Sequence, residues 1–206
     1  KRMTHISYQV FQGSTARQEE VVAFAKTLRG RKLRDLVPAA GRVGERSIGD
    51  KGIVGQLVER AFGLPRSNEQ RPDFAAAGIE LKVVPLKRTT GAVRAKERTS
   101  VTMIDYGALV EESWPTASVR RKLEKILFVF YFHVTGADPL DTVVEEILLW
   151  TPPSGLLPQL ESDWTAVYAK VLAGRAHELS EGDGRVLGAA TKGAGGGRLV
   201  SQPRNA

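Results

Sequence analysis

Three charges stand in an otherwise apolar stretch, "RPDFAAAGIELKVVPL" at residues 71–86: Asp73, Glu80 and Lys82. On an extended strand alternate residues share a face, so Glu80 and Lys82 point one way and Leu81 the other. Asp73 arrives from the turn that follows Pro72. Two carboxylates converging beside a lysine make an oxygen-only site for a hard cation such as magnesium, which keeps part of its water shell. The lysine can hold or polarise a water, and the cation can steady charge on a phosphodiester. The same residues also suit an exposed strand face with a Glu–Lys pair, which is a frequent surface feature. Flanking apolar residues weigh toward the site, because charges in such a run are costly unless paired.

The elements around these residues follow from periodicity. Residues 15–37 read as helical, with Val21, Val22, Phe24, Ala25 and Leu28 on one face and Gly30 at an end. A second short helix is expected at Leu33, Leu36 and Val37, stopped by Pro38. Residues 38–49 read as a loop exposing Arg42 and Arg46. Asp50 is a candidate cap for a helix through Phe62, with Gly63 just past its end. Glu59 borders the apolar face of that helix and offers a third acid. Residues 78–87 read as a strand and residues 99–106 as its partner, joined by a basic link holding Lys87, Arg88, Arg94, Lys96 and Arg98. Ser118 is a candidate cap for a short helix, "SVRRKLEK". Strands are expected at 126–134 and 142–150, a long helix at 158–179, and a last strand in "GRVLGAATK". This order predicts an α/β (α+β) fold, a central mixed sheet flanked by helices, in one domain over residues 1–206. Residues 193–206 form a Gly-rich loop and polar tail.

Composition narrows the function classes. The chain has 206 residues, 42% of them hydrophobic, which is the make-up of a globular protein. It has no cysteine, which excludes disulfide scaffolds, Cys-ligated zinc and cysteine nucleophiles. The net charge is +7, which suits a polyanionic partner, nucleic acid first. The longest apolar run, near residues 126–134, is far shorter than the roughly 20 residues that span a bilayer. No basic amphipathic helix with aromatic anchors marks a membrane-surface protein. A cytoplasmic location is the expectation.

The acid–acid–lysine spacing is the PD…(D/E)xK arrangement of many nucleases. The blocks "VGQLVERAFG", "NEQRPDFAAAGIELKVVPL" and "SVRRKLEKILFV" resemble the MutH family of DNA endonucleases, which takes in the mismatch-repair enzyme and GATC-cutting type II restriction enzymes. The resemblance runs from about Lys51 to Lys192, and "EQRPDFAAAGIELK" matches as a block. "DWTAVYAKVLAGRAHELSEGDGRVLGAATKG" is closer to the restriction branch. The resemblance implies a restriction-endonuclease-like fold and a magnesium-dependent site, with manganese able to substitute. Asp73 and Glu80, with the Leu81 carbonyl, are its metal ligands and Lys82 its catalytic lysine. Glu59 acts through a water ligand of the metal or through Lys82, and Lys122 approaches from the DNA side. Arg46, Lys87, Arg120 and Lys192 are the expected contacts to double-stranded DNA, Lys192 in the segment that reads bases, where lysine can donate to guanine O6 and N7.

The repair branch has Arg-Pro-Lys where this chain has Ala190-Thr191-Lys192. Family members also continue into a further C-terminal segment. The resemblance therefore implies a homodimer, or a C-terminal domain beyond these residues, to supply a second active site. A mismatch-repair type nicking enzyme and a non-cleaving DNA-binding module of the same fold are the alternatives; the intact set of Glu59, Asp73, Glu80 and Lys82 favours an enzyme. "TKGAGGG" lacks the order of a phosphate-binding P-loop. His5, His133 and His177 have no metal spacing, and His133 reads as a packed histidine in a strand. Asp141, Glu145 and Glu146 read as a solvated strand edge, and Trp114, Trp150 and Trp164 as core anchors.

Overall fold

Helix α1, Gln18–Leu28, buries Val21, Ala25 and Leu28, which recur at spacings of four and three and so share one face. Glu19 and Glu20 lie in its first turn, where the helix dipole favours negative charge, and Glu20 accepts a 2.7 Å bond from the Arg17 amide. Gly30, at φ 77°, ends it. The computed structural model describes residues 11–37, 52–65 and 71–190. They divide between two compact units, residues 1–99 with 125–150 and residues 100–124 with 151–206.

The first unit holds a four-stranded mixed sheet in the order β2-β1-β3-β4. Strand β1 (Glu80–Thr89) runs parallel to β3 (Ile126–Phe132), with Glu80 beside Ile126 and Lys82 beside Phe128. Strands β2 (Ala92–Ala95) and β4 (Glu146–Trp150) pair antiparallel on the two edges. Helix α2 (Ile53–Ala61) buries Ile53, Leu57, Val58 and Ala61, and Gly63 takes a left-handed φ of 62° just past its end. The result is the expected α/β class, a mixed sheet flanked by helices. Its core is sealed by an aromatic chain: Phe11 stacks on Phe24 at 4.3 Å, and Phe62 meets Phe24 at 5.3 Å and Phe74 at 5.2 Å edge-on.

The second unit is helical. Helices α3 (Tyr106–Glu111) and α4 (Ser118–Leu123) precede α5 (Leu157–Leu172), which buries Leu160, Trp164, Val167 and Val171. Trp164 lies 6.0 Å from Trp114 and stacks on Tyr168 at 5.0 Å.

Several sequence expectations are corrected. Residues 99–105 are not a strand: Met103 is 77% exposed, and Asp105 instead caps α3 by accepting from the Gly107 and Ala108 amides. The antiparallel partner of β1 is β2, inside the stretch expected to be a link, across a tight turn at Gly91 (φ 79°). The ladder of β4 starts at Glu146. Residues before it bond instead to the loop after α1, through Gly30 N to Val144 O and Leu33 N to Thr142 O. That loop forms a 3-10 turn at Leu33–Asp35, not a second α-helix. Helix α5 stops at Leu172 because Gly174, at φ 70°, turns the chain. Residues 184–190 form no strand. His133 lies past the end of β3 and is exposed. Ser118 is the first residue of α4 and not its cap; its amide donates to Glu112 Oε1. Asp50 lies outside the described residues.

Candidate active site

The site begins with a loop that folds back on itself. Phe74 N donates to Ile79 O at 2.9 Å, and Phe74 and Ile79 form an isolated bridge. Gly78 makes the return possible at φ 63°, a conformation that side chains resist. Phe74 and Ile79 are fully buried, so the loop is pinned by its apolar ends. This brings Asp73 to the start of β1, where its Oδ2 accepts a 2.8 Å bond from the Leu81 amide.

Strand alternation does the rest. Leu81 points into the core. Glu80 and Lys82 emerge on the other face and form an ion pair, Lys82 Nζ to Glu80 Oε1 at 2.7 Å. The Glu80 side chain is 2% exposed and that of Lys82 18%. A carboxylate this deep is tolerated only when its charge is answered. The Glu80 amide donates to Lys125 O at 3.0 Å, tying the first residue of β1 to the chain entering β3. Asp73, Glu80, Leu81 and Lys82 are thus one contiguous group. Glu59 is half-buried on α2, which packs against β1 in the same unit.

The remaining sequence candidates lie elsewhere. Lys87 is exposed on β1 opposite Arg94 of β2. Together with Arg88, whose guanidinium sits 4.1 Å over the Phe132 ring, they make the β1–β2 hairpin a basic ribbon. Lys122 is buried in α4 of the second unit, and Arg120 of the same helix lies 5.8 Å over Trp114. Arg46 and Lys192 lie outside the described residues. Asp141 pairs with Arg34 and Lys32, and Glu146 with Arg29, all substantially exposed, as a solvated edge should be.

Among the described residues no three His, Asp or Glu gather as a ready metal cage. The donors present do fit a divalent ion that takes few protein ligands. Asp73 and Glu80 supply carboxylate oxygens and Leu81 a carbonyl, the oxygen-only chemistry magnesium prefers, with water completing the shell.

One buried charge carried no sequence expectation. Asp163 of α5 is 3% exposed. Its Oδ1 accepts from Gln159 Nε2 at 2.7 Å and the Arg185 amide at 3.1 Å, and its Oδ2 from the Val186 and Leu187 amides at 2.8 and 2.9 Å. Burial alone would push this carboxyl up; the three amides and the Gln159 amide outweigh it and hold the pKa below its ordinary value. A depressed folded pKa adds stability above the unfolded value, about 3.9, and loses it as pH falls through the folded value. The urea midpoints of the native chain and of Asp163→Asn should therefore converge as pH drops below about 4. A gap that stays constant to pH 2 would remove the carboxylate as its source.

The sequence-family model described as "DNA mismatch repair enzyme MutH" matches residues 62–163. The Type II restriction enzyme Sau3AI of Staphylococcus aureus is 32% identical over 156 residues, 74% of this chain and 32% of that enzyme. The DNA mismatch repair protein MutH of Actinobacillus pleuropneumoniae serotype 3 is 31% identical over 144 residues, 70% of this chain and 62% of that protein. MutH of Shewanella woodyi is 29% identical over 188 residues, 89% of this chain and 78% of that protein. The chain thus spans about a third of the restriction enzyme and about six-tenths of the Actinobacillus protein.

Proposed function

The chain belongs to the family of MutH and the Sau-type restriction enzymes, and from that premise we propose that it is a magnesium-dependent endonuclease hydrolysing phosphodiester bonds of duplex DNA at GATC or a closely related site. The observation that carries the reading is the contiguous group at the start of β1: Asp73 on the Leu81 amide and Glu80 against Lys82, buried where unneeded charges are selected against.

Asp73 and Glu80, with the Leu81 carbonyl, hold the magnesium ion. When bound, that ion supplies charge stabilisation for the pentacovalent phosphate. Lys82 Nζ holds and polarises the attacking water, whose oxygen bonds to phosphorus as the opposite P–O bond breaks. Glu80 aims the ammonium through its 2.7 Å contact. Glu59 supports Lys82 and the water from α2. The basic ribbon of Lys87, Arg88 and Arg94 neutralises backbone phosphates. Lys122 and Arg120 of α4 act on the DNA side by family resemblance, as do Arg46 and Lys192. Double-strand cutting requires a second active site, supplied by a homodimer or by a further domain. The greater share of the MutH proteins that this chain spans, 78% for Shewanella woodyi, favours a second reading, a nicking enzyme of the repair type.

The test is incubation with magnesium and duplexes carrying GATC unmethylated, hemimethylated, fully methylated or scrambled. Cleavage should be confined to GATC or a one-base relative, stop in EDTA and return with added magnesium or manganese. Supercoiled plasmid turning linear without accumulating a nicked form selects double-strand cutting. Equal treatment of all four duplexes would reject the specificity, and undiminished cutting in EDTA the metal.

A further inference from the structure

Helix α5 grips the chain that leads toward Lys192 at two points on one side, Asp163 and Lys170, two turns apart. Lys170 Nζ donates to Asp183 Oδ1 at 2.6 Å and to Glu178 O at 3.0 Å. Asp183 in turn accepts from the Ser180 amide at 2.9 Å. Asp163 takes three consecutive amides, Arg185 to Leu187, on a buried carboxylate. The glycines on either side are there by need of space. A Cβ at Gly184 would lie 1.9 Å from Leu187 O and 2.8 Å from Asp163 Cγ, and one at Gly188 would lie 2.6 Å from Glu181 O. Carboxylate, lysine and two obligatory glycines are more than a connection needs, because a buried charge is expensive in water lost and is offset here only by full hydrogen bonding.

We infer that Asp163 is a positioning residue for sequence discrimination: by clamping residues 185–187 it fixes the base from which the base-reading Lys192 is presented. The inference rests on the proposed DNA-cleaving function. Lys192 is five residues from Leu187, so its reach is at most about 18 Å from a clamped point. A reading side chain loses less freedom on binding when its root is already fixed, and a loose root blurs the difference between right and wrong bases.

The test compares the native chain with Asp163→Asn and Gly188→Ala. Two quantities are measured: kcat/KM on a GATC duplex against a duplex with one base of the site changed, and amide hydrogen exchange along the chain. Both variants should lower the discrimination ratio about tenfold or more, the worth of one good base contact, chiefly by slowing the GATC duplex. Cutting of the altered duplex should stay within about twofold of native. Exchange should speed up at 185–187 and not in β1 or β3. Unchanged discrimination alongside faster exchange at 185–187 would overturn the inference, and so would faster exchange throughout both units, which marks a general structural role. A native chain that cuts DNA without discriminating sinks the proposed specificity itself; a native chain that discriminates and an Asp163→Asn variant that does so equally well sink only the role of Asp163.

Discussion

Asp73→Asn lowers cleavage of a GATC duplex by at least about a thousandfold in magnesium, while the far-UV circular dichroism and melting temperature stay near those of the native chain. The separation of effects follows from the geometry. The asparagine carbonyl can still accept from the Leu81 amide, the 2.8 Å bond that ties the loop to β1. What is lost is the charge, and with it one of two carboxylates for the metal. Lys82→Ala should lose activity to a similar degree but with a second cost. It removes the ammonium 2.7 Å from a carboxylate that is 2% exposed, which destabilises by about 1–3 kcal/mol. Urea titration of the two variants separates these contributions: a midpoint unchanged for Asp73→Asn and lowered for Lys82→Ala. Rapid cutting by Asp73→Asn would end the assignment of this group as the active site.

Phe62→Ala is expected to have the largest effect on stability, about 3–5 kcal/mol. Phe62 is fully buried, and its ring meets Phe24 on α1 and Phe74 in the loop carrying Asp73, each edge-on at just over 5 Å. Removing it opens a cavity where three pieces of chain converge, and the surroundings are held by backbone as well, since the Phe62 carbonyl accepts from Gly13 N at 3.0 Å. Because Phe62 follows directly on α2 and supports the Asp73 loop through Phe74, the same substitution should reduce cleavage well below the melting temperature. Calorimetry and the duplex assay at about 20 °C check the two parts. A melting temperature within about 2 °C of native would show that the aromatic chain does not hold this unit together.

Much of the scaffold was legible in the residues. The buried faces of α1, α2 and α5 stand at helical spacing, and an apolar face needs no partner information to be recognised. Glycines at 30, 63 and 174, each at positive φ, mark the ends of helices through a property of the residue itself. The shared face of Glu80 and Lys82 follows from strand alternation alone, and the ion pair bears it out. Strand β2 was not legible, because all four of its residues are exposed and its ladder to β1 is made of backbone groups. Residues 99–105 misled for the opposite reason: alternating apolar side chains looked like a strand face, but Asp105 and a helix start took the segment.

The sequence by itself determined which residue types stand near one another along the chain: the acids, the lysine, the helical faces and the family pattern they form. Only the tertiary structure decided which backbone groups those side chains hold. Asp73 grips an amide eight residues away, and Asp163 grips amides 22 to 24 residues away. A backbone N–H is the same at every residue but proline, so nothing in the partner's identity announces the bond. Folding chose those amides by bringing them within 3 Å of a carboxylate that burial had left in need of donors.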